Sequence, residues 1–227
     1  MKLKVSLIIV LAIHCLSVYT QELVNFNASD NLKITADLYE TEKESDKWMI
    51  MVHQAEFSRG EFKEAARRMI KVGYNCLAVD LRSGGEVNFV QNETAALAKE
   101  LGYPKNKNAQ ITLFGSSFSA SFCLKLAKER NDLTCVIAFS PGEFFEPAFS
   151  VKQAISGLQL PVYIGCAKSE FEYVKELASL ISSKKKVIFK PERGEGLHGS
   201  KTLWWESPTR DEFWLSLLFF LNGLNKI

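Results

Sequence analysis

The sequence predicts an α/β fold: one mainly parallel sheet of the eight-stranded type, with helices on both faces and no large cap domain. Three observations carry this expectation. From residue 48 onward, short apolar runs alternate with amphipathic stretches of helical length, the pattern of repeated strand and helix units. The runs are apolar at consecutive positions rather than alternate ones, as in strands covered on both faces. Finally, 227 residues with 47% hydrophobic and 24% charged content suffice for one substantial core in one domain.

The chain opens with Met-Lys-Leu-Lys and an apolar run over 5–18, the build of a secretory signal, with cleavage expected before Gln21. This leaves 21–227 as a single domain, exported to a periplasmic or secreted location, with an uncleaved N-terminal anchor as the alternative. The apolar run is short for a membrane span, so no stable span is expected after cleavage. Strands follow over 23–27 and 32–39, joined by the turn-rich Ala28-Ser29-Asp30-Asn31 into an antiparallel edge hairpin. The alternating series then reads strand 48–53, helix 60–72, strand 75–81, helix 92–101, strand 111–114 and helix 117–130. It continues with strand 134–139, a phenylalanine-rich loop, strand 162–166, helix 169–182, strand 186–189 and a final helix from about 208 to 224. That last helix is apolar nearly all round over 213–221 but too short to span a bilayer, and burial against the sheet is expected.

Composition excludes several classes of function. The net charge of +2 is the small difference between 28 basic and 26 acidic residues, and no basic stripe interleaved with aromatics speaks for nucleic acid. Lys184-Lys185-Lys186 reads as a solvated helix end. Cys76, Cys123, Cys135 and Cys166 lie among apolar neighbours and are expected to be free core thiols. Without a Cys-x-x-Cys or a close Cys and His pair, no metal site is expected.

The chemistry gathers where an open α/β sheet places it, beyond the carboxyl ends of the strands. Gly115-Ser116-Ser117-Phe118-Ser119 follows the strand ending at Phe114. Small residues two positions either side of Ser117 suit a tight strand-to-helix turn that projects a nucleophilic hydroxyl. Glu170 and Glu172 follow the strand ending at Cys166, and Gly196-Leu197-His198-Gly199 follows the last strand. A serine hydroxyl needs an imidazole to take its proton and a carboxylate to hold that imidazole in the right tautomer. Ser117, an acid and His198 occur in a suitable order. Of the two carboxylates Glu170 is preferred, because Ser169 and Glu172 have the spacing of a capping box that would occupy Glu172. The oxyanion donors are assigned to the backbone N–H of Phe118 and that of Gln54 or Ala55, while His53 is expected to buttress their loop. Phe144 and Phe145 are expected to wall an apolar substrate pocket.

Together these motifs, with Asp80-Leu81-Arg82-Ser83-Gly84-Gly85, resemble the α/β hydrolase superfamily over about residues 23–225, and within it the small, capless dienelactone hydrolase-like group. The resemblance implies a serine esterase without metal or organic cofactor, acting on a small-molecule ester by a Ser117-His198-Glu170 triad and an acyl-enzyme intermediate. It leaves open a peptidase or amide hydrolase, and a binding protein on the same fold that performs no catalysis. The sequence departs from the group in four ways, one being a short crossover from Leu81 to Ile111 with room for one modest helix. Ser117 stands where dienelactone enzymes carry cysteine, Ser119 replaces the more usual glycine, and Glu170 stands where aspartate is commoner.

Overall fold

The computed structural model describes residues 21–27, 33–81 and 109–224. The expected signal over 1–20, the hairpin turn at 28–31, the Arg82–Gly85 part of the glycine motif and the helix at 92–101 lie outside the described residues. Eight strands form one sheet: β1 (Gln21–Asn27), β2 (Lys33–Tyr39), β3 (Lys47–Val52), β4 (Asn75–Val79), β5 (Gln110–Ser116), β6 (Leu133–Phe139), β7 (Val162–Gly165) and β8 (Lys186–Phe189). Their spatial order is β1-β2-β4-β3-β5-β6-β7-β8. β1, β2 and β4 are joined by antiparallel pairings, and every other neighbouring pair is parallel. The expected mainly parallel eight-stranded sheet is what the chain forms.

The alternation of side chains across each strand divides the core in two. Trp48, Ile50 and Val52 of β3, Leu113 of β5 and Val136 of β6 join one apolar cluster with α2 (Phe118–Glu129) and α4 (Phe171–Ser179). Met49, Met51, Phe114, Ile137 and Tyr163 join the other with α1 (Lys63–Lys71) and α5 (Arg210–Leu224). Phe114 sits between Phe62 and Phe139, with ring centroids at 5.1 and 5.4 Å, so the strand leading to Ser117 is gripped immediately before its turn.

Three features differ from expectation. The loop after β6 contains a short helix, α3 (Val151–Ile155), whose start is built from side chains rather than from any apolar period. Ser150 accepts the Gln153 N–H, and the Glu143 carboxylate takes the N–H groups of Val151 and Lys152. Helix α5 is not buried all round: Phe213, Trp214 and Leu217 enter the core, whereas Leu215 and Phe219 are 74% and 81% exposed. The lysine run does not end a helix; it leads into β8, and the Lys186 ammonium donates to the Ala178 and Ile181 carbonyls at the end of α4. The four described cysteines are free and buried, and burial pushes their thiols up, Cys135 to about 12.

The strand order fixes where the loops meet. The chain moves outward from β3 to β4, then returns past β3 to β5, so the crossover direction reverses between β3 and β5. Val52 lies directly beside Gly115, which puts the loop beginning at His53 next to Ser117.

Candidate active site

Ser117 stands on a turn that its neighbours make sharp. Its φ of 53° and ψ of −117° belong to no regular structure, and such strain persists only where surrounding bonds impose it. Here the Ser117 N–H donates to Phe139 O at 2.7 Å, and the Ser117 carbonyl accepts Ala120 N–H at 2.9 Å. Gly115 is needed for close approach: a Cβ there would lie 2.4 Å from Ser119 O and 2.7 Å from Ala120 Cα. Ser119 fits the second small position and adds a bond, its hydroxyl donating to His53 O at 2.6 Å.

His198 Nε2 lies 2.6 Å from Ser117 Oγ, and its Nδ1 meets Glu170 Oε1. An ionised Glu170 can only accept, so Nδ1 carries the proton and Nε2 is free to accept from the Ser117 hydroxyl. The structure thus brings Ser117, His198 and Glu170 into one hydrogen-bonded line. Glu172 lies outside it, exposed on α4. The capping-box argument for preferring Glu170 does not hold as stated, because Glu170 is itself the capping carboxylate, accepting Ala167 N–H at 3.0 Å. Burial raises the Glu170 carboxyl, but hydrogen bonds from His198, Ser140 and Ala167 outweigh it and hold its pKa below the ordinary carboxylate value.

That depression has a sign. Glu170 contributes stability above the unfolded-state carboxylate pKa, and the contribution is lost as pH falls through the lower folded-state value. The melting temperature of Glu170→Gln should therefore lie below that of the parent near neutrality. The gap should narrow as pH drops below about 4; a gap that widened in acid would contradict the assignment.

Opposite the line of Ser117, His198 and Glu170, the loop that follows β3 is held by three hydrogen bonds. Leu81 N–H donates to His53 Nε2 at 3.0 Å, so the His53 proton is on Nδ1, which donates to Gln54 O at 2.7 Å. That carbonyl belongs to the peptide whose other end is the Ala55 N–H. In a trans peptide the two point oppositely, so fixing one aims the other. The Gln54 N–H is committed elsewhere, donating to Glu61 Oε2 at 2.8 Å. Of the two alternatives, Gln54 or Ala55, the Gln54 N–H is thus taken, and the Ala55 N–H is the one left to offer. Phe118 N–H is among the unpaired donors of the first turn of α2. Phe145 is corrected too: it is 1% exposed among Phe118, Phe122 and Phe149 and fills core rather than walling a pocket. Phe144 is half-buried, its ring closing over Gly142.

Two residues escaped the sequence reading. Ser140, at φ 53°, donates to Glu170 Oε2 at 2.6 Å and accepts Gly199 N–H at 2.9 Å, coupling the acid to the histidine loop. Its place directly after β6, at the carboxyl end of a central strand, was a usable signal. Glu61 is 3% exposed and bridges the two sides of the site, accepting Gln54 N–H and, at 2.5 Å, the Ser200 hydroxyl. A glutamate opening an amphipathic helix gives no such signal. Glu61→Leu should leave both donors unpaired and lower kcat/KM about 100-fold through misplacement of the Ala55 peptide. Glu61→Gln, which keeps an acceptor for Gln54, should retain most activity; equal losses in the two variants would argue against a positioning role.

No family model matches the chain, and no curated relative matches it either. Solved structures do. The Pyrococcus furiosus esterase Pf2001 superposes with a TM-score of 0.70 at 18% identity, covering 90% of this chain and 93% of the other. Dienelactone hydrolase from Anabaena variabilis gives 0.68 at 15% identity, over 90% and 98% of the two chains. Est1E from Butyrivibrio proteoclasticus gives 0.66 at 14%, over 86% and 98%. Sheet order, turn and superposition agree that the chain has the α/β hydrolase fold.

Proposed function

We propose that the protein is a serine hydrolase that cleaves a carboxylic ester through an acyl-enzyme. The observation that carries this reading is the continuous line from Ser117 Oγ through His198 to Glu170. His198 Nε2 takes the hydroxyl proton as Ser117 Oγ bonds to the ester carbonyl carbon, and ionised Glu170 stabilises the imidazolium that results. The carbonyl oxygen gains negative charge between the N–H groups of Ala55 and Phe118. The second donor sits at the N-terminus of α2, where the helix dipole favours an anion. The imidazolium returns its proton to the leaving alkoxide as the tetrahedral carbon collapses. Water, deprotonated by His198, then releases the acid and restores Ser117.

A fluorophosphonate probe tests the proposal directly. Incubation at neutral pH should add one phosphonyl group, and peptide mass spectrometry should place it on Ser117. Folded protein that stays unlabelled, or labels elsewhere, would refute the mechanism and favour a hydrolase-fold binding protein.

A further inference from the structure

The exposed side of α5 is unrelated to the site just described. Leu215 and Phe219 lie one turn apart on one helix face. With Val187 and Phe189 of β8 and Phe220 they line a groove of about 530 Å³, rimmed by Glu192 and Glu212. The groove runs beside an open sheet edge, for β8 is the last strand and pairs with β7 alone among the described residues. Val162 N–H donates to Lys185 O, and Cys166 N–H to Phe189 O. Backbone groups alternate in direction along a strand, so those of Lys186 and Ile188 point away from the sheet. An open edge flanked by exposed apolar side chains is a surface built to be covered.

We propose that this face pairs with the same face of a second copy, about a two-fold axis normal to the sheet and passing by Ile188. Such an axis makes the β8 strands antiparallel and keeps both α5 helices on one side of the joined sheet. Ile188 then exchanges backbone hydrogen bonds with its own counterpart. Val187 comes opposite Phe189 of the second copy, on the side where Leu215 and Phe219 of both chains meet. Charge selects a second copy as the occupant. Each β8 is preceded by Lys184 and Lys185 and followed, three residues after its end, by Glu192, whose N–H donates to Glu212 Oε2 at 2.7 Å. Antiparallel pairing about Ile188 places Lys184 of one chain opposite Glu192 of the other, at both ends. Lys186 comes opposite Lys190, but their ammonium groups are turned elsewhere, to the Ala178 and Ile181 carbonyls and over the Phe171 ring at 4.3 Å. A lipid surface fits less well, since Glu192 and Glu212 would be carried into it with the apolar side chains.

Sedimentation velocity of the purified full chain tests this without reference to catalysis. A species of twice the chain mass is expected at micromolar concentration. Phe219→Glu should raise the dissociation constant about 100-fold or more; at concentrations far below the parental dissociation constant, where both proteins are monomers, the two melting curves should coincide, because the side chain is 81% exposed in one copy. Lys184→Glu should weaken the dimer, and adding Glu192→Lys should restore it. A monomer at every concentration would overturn the proposal. So would a dimer indifferent to Phe219→Glu and Lys184→Glu, or Phe219-dependent binding to phosphatidylcholine vesicles by a chain that stays monomeric.

Discussion

Ser117→Ala is expected to lower kcat/KM for p-nitrophenyl acetate by about 10⁴-fold or more, with the fold intact. The side chain is small and, among the described residues, its hydroxyl bonds only to His198, so its loss opens no cavity and orphans no buried donor among them. His198→Ala should cost a similar factor. The double variant should be little worse than either single one, because nucleophile and base act as a unit and the second removal finds nothing left to disable. Initial rates under pseudo-first-order conditions, corrected for spontaneous hydrolysis, give all three numbers. A Ser117→Ala protein with a tenth or more of parental turnover would remove Ser117 from the reaction.

Gly115→Ala should have the largest effect on stability of any single methyl added at the turn. The new Cβ would meet backbone atoms, Ser119 O at 2.4 Å and Ser119 C at 2.6 Å, rather than a side chain that could swing away. Relief requires β5 and α2 to separate, which pulls against Phe114 in the core and against the bond from Ser119 to His53. A loss of about 3 kcal/mol is expected from urea unfolding, with labelling by the fluorophosphonate probe falling further than stability because Ser117 and Phe118 move together. Ala at Gly60, where the nearest atom is the Ser58 hydroxyl at 3.4 Å, is the control and should change stability little.

The sheet was legible because each strand announces itself by an unbroken apolar run, and the meeting of Ser117, His198 and Glu170 because the fold gathers the loops at one end of those strands. Ser117 and His198 needed only their turn and their order. Glu170 was chosen rightly over Glu172 as the carboxylate that meets His198, but by an argument the structure replaces. No local pattern could show that Glu170 caps Ala167 while also reaching an imidazole 28 residues away. The choice between Gln54 and Ala55 was equally closed to sequence reasoning, since it turns on a carboxylate from α1's approach, Glu61, taking one of two adjacent N–H groups. Phe145 shows the opposite failure. An aromatic residue near a site reads as a pocket wall or as core with equal ease, and only its packing against Phe118 and Phe149 decides.

The bridge made by Glu61 also bears on how the protein acquires its activity. Its partners are Gln54, seven residues before it, and Ser200, 139 residues after it, and Ser117 waits 81 residues for His198. During synthesis Ser117 and the loop after β3 leave the ribosome long before the segment that meets them. Contacts of such sequence separation form late, after the chain has met the entropy of closing large loops. On the proposed mechanism, a nascent or truncated chain ending before residue 198 therefore holds a serine without a base, and hydrolytic competence would arrive only with the last stretch of the polypeptide.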